Sequence, residues 1–143
     1  MARPGAIRCG GVSLVDRVIA TPEAVALIER LKLVHGPLMF HQSGGCCDGS
    51  APMCYPAGEF RVGGADILLG ALAGSAFWMW GEQYAFFTQS QLIIDVVPGR
   101  GSGFSLESPE GVRFLTRSRL FTDDELAELD RAPPPRHGDQ PAA

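Results

Sequence analysis

The sequence predicts a β-rich α+β domain in which mixed or antiparallel twisted sheets are combined with an N-terminal helix and a short C-terminal helix. Short apolar runs of strand length recur along the middle of the chain, between clusters of glycine and proline. One segment of helical period precedes these runs, and a second with an acidic first turn follows them. A chain of 143 residues is long enough for one core. We therefore expect a single globular domain over residues 12–131, after a flexible arm at 1–11.

The N-terminal part carries the clearest helix signal. Residues 12–19 contain alternating apolar positions and predict a short strand. Thr21 is a suitable N-cap, and Pro22 fits the first helical position, where its missing N–H costs nothing. The glycine and proline at 36–37 end the helix. Apolar residues at i, i+3, i+4 and i+7 predict its buried face: Ala24, Leu27, Ile28 and Leu31.

The sheets are predicted from apolar runs that alternate or contain β-branched and aromatic residues. The predicted strands are residues 38–42, 59–62, 66–72, 77–80, 92–97, 104–107 and 112–119. Residues 81–87 fit about two helical turns, and Thr122 caps a helix over 123–129. The three prolines that follow Ala132 predict a disordered tail over residues 132–143.

Charge and hydropathy narrow the function classes. The net charge is −4, and Lys32 is the one lysine among twelve basic residues, so a nucleic-acid-binding surface is not expected. No apolar stretch approaches the roughly 20 residues that a membrane span requires, and the N-terminus lacks the apolar run of a signal peptide. We expect a cytoplasmic protein, where cysteines serve as free thiols, metal ligands or catalytic groups.

The candidate chemistry is concentrated in residues 41–54, which hold three of the four cysteines and one of the three histidines. The predicted strand 38–42 leads into a loop of turn-forming residues. His41, Cys46, Cys47 and Cys54 form a possible ligand set for a metal ion. The seven-residue step from Cys47 to Cys54 differs from the C-x2-C pairs of structural zinc sites, and any one of these cysteines can instead be a small core residue.

A second interpretation is nucleophilic catalysis by Cys46 or Cys47, with His41 as the base. Asp48 counts against it, because a nearby negative charge raises a thiol pKa. The glycine-rich residues 98–103 predict a tight hairpin, and within it Arg100 and Ser102 are candidates for a second, cofactor-binding wall of the site.

Two segments carry a resemblance to a known family. They are HGPLMFHQSGGCCDGSAPMCYP at residues 35–56 and LIIDVVPGRGSGFSL at residues 92–106. The chain resembles, over roughly residues 16–122, the small bacterial family catalogued as domain of unknown function 779. Members of that family are often encoded beside aldehyde dehydrogenases. The resemblance implies a link to aldehyde or alcohol oxidation.

A more distant likeness is to the A-type, HesB-like iron–sulfur carriers. Residues 44–49 (GGCCDG) stand where those proteins have a Gly-Gly-Cys-Ser-Gly turn. Later in the chain, residues 93–95 (IID) and 101–104 (GSGF) resemble their Ile-Asp-Tyr segment and the Gly-Ser-Gly-Phe turn that follows it. The likeness implies a twisted β-sandwich and a homodimer that brings two cysteine loops together. The chain departs from the carriers in having no cysteine after Cys54, where they have Cys-Gly-Cys.

Together these observations predict an accessory protein of aldehyde or alcohol oxidation that binds a metal ion or an iron–sulfur cluster. We do not expect it to be an enzyme by itself. The alternatives are a thiol-dependent enzyme acting on an aldehyde or related electrophile, and a non-catalytic module that docks on an aldehyde dehydrogenase. Selective alkylation of one cysteine distinguishes the enzyme from the metal-binding protein.

Overall fold

A computed structural model describes residues 15–42, 51–99 and 105–138, and these residues have the α+β architecture that the sequence predicts. The described strands are β1 (Val18–Ala20), β2 (Leu38–Gln42), β3 (Met53–Pro56), β4 (Asp66–Leu72), β5 (Ser75–Trp80), β6 (Ser90–Pro98) and β7 (Val112–Leu120). The described helices are α1 (Pro22–His35), α2 (Gly81–Tyr84) and α3 (Asp123–Arg131), with a 3-10 turn at Ser108–Glu110.

Within these ranges the strands form two mixed sheets. The first has the order β1-β6-β7, with β1 parallel and β7 antiparallel to β6. The second has the order β3-β2-β5-β4, in which β2 and β5 are parallel and the two outer pairs are antiparallel. The parallel pairings join strands that are far apart in sequence, so the order of strands within each sheet depends on long-range contacts.

Helix α1 forms as its sequence predicts. The Thr21 hydroxyl accepts a hydrogen bond from the Ala24 N–H at 3.2 Å, and Gly36 ends the helix with a φ of 78°. The predicted apolar face is the buried one, and it belongs to the same core as the two sheets. The helix thereby closes the core beside β1, β2 and β6.

The two sheets face each other across aromatic side chains. Phe40 of β2 lies 6.0 Å from Phe77 of β5 and 5.1 Å from Phe114 of β7, measured between ring centroids, and all three are fully buried. The Thr116 hydroxyl on β7 donates to Gln42 Oε1 on β2 at 2.6 Å. Apolar packing and buried polar contacts such as this one therefore hold the two sheets together.

Some predicted elements differ from the structure. Residues 59–62 form a bend followed by irregular chain instead of a strand, and the helix after β5 is a single turn. Residues 105–107, predicted as part of a strand, form a turn. Ser105 and Glu107 direct their side chains into the interior and receive backbone N–H groups there, so their alternation reflects local polar contacts and not a sheet face.

The C-terminal segment is the largest difference. Residues 132–138 fall in the predicted disordered tail, yet residues 136–138 pair with the outer edge of β4. The Leu68 N–H donates to the Arg136 carbonyl at 2.8 Å, and the Gly138 N–H donates to the Asp66 carbonyl at 2.9 Å. The unpaired N–H and C=O groups of an edge strand favour such pairing, whereas composition alone favours disorder.

Helix α3 follows its predicted cap. The Thr122 hydroxyl accepts from the Glu125 N–H at 3.2 Å, and the Glu125 carboxylate accepts from the Thr122 N–H at 2.8 Å. No helix among the described residues combines the length and apolar character that crossing a membrane would require.

Candidate functional site

A buried histidine–carboxylate pair lies on one face of the four-stranded sheet. His41 of β2 is the register partner of Trp78 on β5, and Asp66 of β4 is the partner of Trp80. Side chains two residues apart on a strand share a face, so His41 and Asp66 project from the same side of the sheet across β5. His41 Nε2 lies 2.8 Å from Asp66 Oδ1, and the two residues are only 6% and 8% exposed.

The second carboxylate oxygen of Asp66 is held by the preceding turn. The Gly63 N–H donates to Asp66 Oδ2 at 2.9 Å, and the Gly63 carbonyl accepts from the Asp66 N–H at 3.0 Å. A carboxylate only accepts hydrogen bonds, so the proton between the pair is on His41 Nε2. In the neutral imidazole the other ring nitrogen, Nδ1, then carries the lone pair that is available to a metal ion or a proton.

Aromatic rings surround the imidazole. The Phe60 ring lies 4.3 Å from the His41 ring, and the Tyr55 ring stacks on Phe60 at 5.2 Å. Trp78 is buried on the same face. These rings reduce the access of water, which strengthens the hydrogen bond between His41 and Asp66.

Cys54 lies on the opposite face of the sheet. It is the register partner of Phe40, the residue before His41, and it belongs to the apolar core. Burial, followed by the negative charge of Glu107, raises the pKa of the Cys54 thiol from 9.0 to about 12. The structure therefore separates Cys54 from His41 and keeps its thiol protonated at neutral pH.

A second buried polar network surrounds the backbone of Cys54. The Cys54 N–H donates to Ser105 Oγ at 2.8 Å, and the Ser105 hydroxyl donates to Glu107 Oε1. The Phe114 N–H reaches Glu107 Oε2 at 3.4 Å. This network gives the buried Glu107 carboxylate its partners and links β3 to β7.

Most of the predicted site residues fall outside the structure's description. Cys46 and Cys47 belong to residues 43–50, and Arg100 and Ser102 belong to residues 100–104, so their roles stay predictions. In the described ranges, no group of three or more histidine, cysteine, aspartate or glutamate side chains forms a metal site. Among the described residues, His41 is the predicted ligand whose side chain has a buried polar partner, Asp66.

Asp66 and Glu107 are buried acidic residues that the site predicted from the sequence does not include. Asp66 reads as the first residue of an apolar run, and Glu107 as the outward residue of a half-buried strand. A carboxylate at the start of a buried run is a usable signal, because acidic residues are seldom buried without a partner. The identity of that partner depends on the register of β2, β5 and β4, which no local pattern contains.

A family model matches most of the chain. The family model described as Domain of unknown function (DUF779) matches residues 27–120, a range that spans α1 after its first turn and all of β2 to β7. Neither the curated proteins nor the solved structures contain a significant match to the chain.

Proposed function

We propose that this chain, which belongs to the DUF779 family, binds a metal ion. His41 and the thiols of Cys46 and Cys47 are its ligands. The observation that carries the proposal is the 2.8 Å contact between His41 Nε2 and the buried Asp66 carboxylate. Metal-bound histidines commonly donate their other ring N–H to a carboxylate, which orients the ring and makes the ligand nitrogen more basic. The two cysteines follow His41 by five and six residues in the sequence.

The donor types suit a thiophilic metal. One imidazole and two thiolates favour zinc, iron in a small cluster, or copper over magnesium and calcium, which prefer oxygen ligands. Three protein ligands leave one position open in a tetrahedral site, as in zinc sites that bind a water or a substrate. The proposal leaves out Cys54, because its thiol lies in the core on the other face of the sheet and its pKa is about 12.

The test is metal analysis of protein purified without oxygen. We expect close to one equivalent of metal, or of a cluster, and its loss in the double variant Cys46→Ser/Cys47→Ser and in His41→Ala. Asp66→Asn should bind about 10–100-fold more weakly, the usual effect of changing such a carboxylate partner.

Cys54→Ala is the matched control, because it removes a thiol of the same stretch without touching the His41 face, and it should retain the metal. Substoichiometric metal in the parent protein, or equal metal in the parent and the double variant, contradicts the proposal.

The same pair of residues supports a second candidate, a thiol-dependent enzyme. Asp66 would orient His41 as the base for Cys46 or Cys47, in the manner of a cysteine–histidine–carboxylate triad. The thiolate would add to the carbonyl carbon of an aldehyde or a related electrophile. Rapid iodoacetamide labelling of one loop cysteine at neutral pH in the presence of a chelator, slowed by His41→Ala, favours this candidate. Equal and slow labelling of both cysteines rejects it.

A role beside an aldehyde dehydrogenase extends the proposal and rests on the family resemblance. An open coordination position gives one reason for a partner, since a second copy of the chain or another protein can supply the missing ligand. Affinity purification from the native host, compared between the parent and Cys46→Ser/Cys47→Ser, tests the dehydrogenase as that partner. Sedimentation with and without metal tests the homodimer that the likeness to the iron–sulfur carriers implies.

A further inference from the structure

We infer that the C-terminal segment, residues 136–138, positions the Asp66 carboxylate against His41. The segment is therefore part of the candidate site. The inference deepens the proposed function and rests on it for its consequence, the binding of metal. The positioning of Asp66 by this segment, which is distant in sequence, does not depend on whether the protein binds metal.

The segment first holds the backbone of Asp66. Gly138 N–H to the Asp66 carbonyl and Leu68 N–H to the Arg136 carbonyl are the two hydrogen bonds of an antiparallel bridge around Ile67 and His137. Asp66 is the first residue of β4 and lies at the outer edge of its sheet. Asp66 is paired with Trp80 of β5 on the inner side, and on the outer edge the segment supplies the hydrogen-bond donor for the Asp66 carbonyl.

The segment also contacts the turn at Gly63 and Gly64, whose backbone holds the Asp66 carboxylate. A Cβ placed on Gly138 would lie 2.4 Å from the Gly63 carbonyl oxygen, so the two backbones are in direct contact. The His137 ring donates from Nδ1 to the Gly64 carbonyl at 3.0 Å. Since the Gly63 N–H is the donor to Asp66 Oδ2, these contacts fix the turn that aims the other oxygen at His41.

A third contact lies on the His41 face of the sheet. The Arg136 guanidinium sits over the Trp78 ring at 5.6 Å, and Trp78 is the β5 partner of both His41 and Leu68. The contact anchors the segment beside the pair by a cation–π interaction. Asp66 is thus held by its strand, by its turn and by a segment that covers both.

The first experiment compares the full chain with Gly138→Val, whose side chain cannot fit against the Gly63 carbonyl oxygen. The readout is the ring 15N chemical shifts of His41 in metal-free protein at one neutral pH, which distinguish a protonated from a bare ring nitrogen. We expect one tautomer, with the proton on Nε2, in the parent and a mixture of tautomers in the variant. Backbone amide shifts of β6 and β7, remote from the segment, report whether the fold is retained.

A second pair of chains serves if Gly138→Val does not fold. One ends at Pro135 and lacks the segment, and its matched control ends at Gly138 and keeps it. The first should show mixed His41 tautomers and the second the parental tautomer. Identical His41 shifts in folded protein with and without the segment would overturn the inference.

The consequence for metal is measured separately. If the parent binds metal, loss of the segment should weaken binding about 10–100-fold, in line with other outer partners of metal-bound histidines. If the parent binds none, the proposed function fails, while the tautomer comparison still decides whether the segment positions Asp66.

Discussion

Replacing Asp66 by alanine should destabilise the protein, because its buried carboxylate is the hydrogen-bond acceptor for the buried His41 ring as well as for the Gly63 N–H. His41 Nε2 and the Gly63 N–H reach the two carboxylate oxygens at 2.8 and 2.9 Å. Alanine leaves the buried His41 Nε2–H without an acceptor, at a cost of about 1–3 kcal/mol, whereas the N–H of the exposed Gly63 can turn to water. The expected loss is therefore about 1–3 kcal/mol, against a total stability of roughly 5–15 kcal/mol for a typical domain.

Asparagine at this position should cost less than alanine. Its single carbonyl oxygen can accept from either His41 or Gly63, and its amide group must face the other donor unless the imidazole changes tautomer. We expect the free energy of unfolding of Asp66→Asn to lie between the values of the parent and of Asp66→Ala. The order parent, Asp66→Asn, Asp66→Ala therefore follows from the number of satisfied donors.

The assay is urea unfolding followed by tryptophan fluorescence, since Trp78 and Trp80 lie on the same face as the pair. Asp130→Ala, an exposed aspartate of α3, is the control and should change the free energy of unfolding by less than about 0.5 kcal/mol. A loss for Asp66→Ala no larger than that of the control would refute the reasoning that the carboxylate is a buried hydrogen-bond acceptor for both groups.

Three further predictions concern the helix cap, pH and the core thiol. Thr122→Ala should cost about 1 kcal/mol in urea unfolding and Thr122→Ser much less, because serine keeps the capping oxygen; equal losses would contradict the cap. The hydrogen bond from Arg119 lowers the pKa of Glu125 from 4.5 to about 2, so its stabilisation is present above about pH 4.5 and is lost as the pH falls toward 2. The stability difference between the parent and Glu125→Gln should therefore shrink over that range, from a small value because the pair is exposed. In a Cys9→Ser/Cys46→Ser/Cys47→Ser background, the thiol of Cys54 should react with a disulfide reagent at pH 8 only as fast as the protein unfolds; rapid reaction without urea would contradict its burial.

Several elements could be predicted because their signals are local. The cap, the proline and the apolar period of α1 lie within one segment, and the structure has the helix over Pro22–His35 with the expected buried face. The β-branched run before residue 98 and the alternating residues after Gly111 also become strands β6 and β7. Each of these signals depends on neighbouring residues whose spacing is set by backbone geometry.

The candidate site was predictable only in part. The position of His41 beside the cysteines predicts its role, whereas its partner Asp66 is 25 residues away and comes into reach only because β5 lies between β2 and β4. The separation of His41 and Cys54 has a similar origin. Both belong to one cysteine-rich stretch, but the pairing of Phe40 with Cys54 sends the thiol to the core face and the imidazole to the other.

The sequence by itself determined the class of fold, the limits and buried face of α1, and the concentration of sulfur and imidazole groups in residues 41–54, because these follow from composition and local period. The tertiary structure decided which carboxylate meets His41, which face holds Cys54, and that residues 136–138 complete the edge of β4. The physical reason is that strand register and edge pairing are set by the burial of whole sheet faces and by the need to satisfy backbone groups. Both depend on residues that are distant in sequence and leave no local pattern.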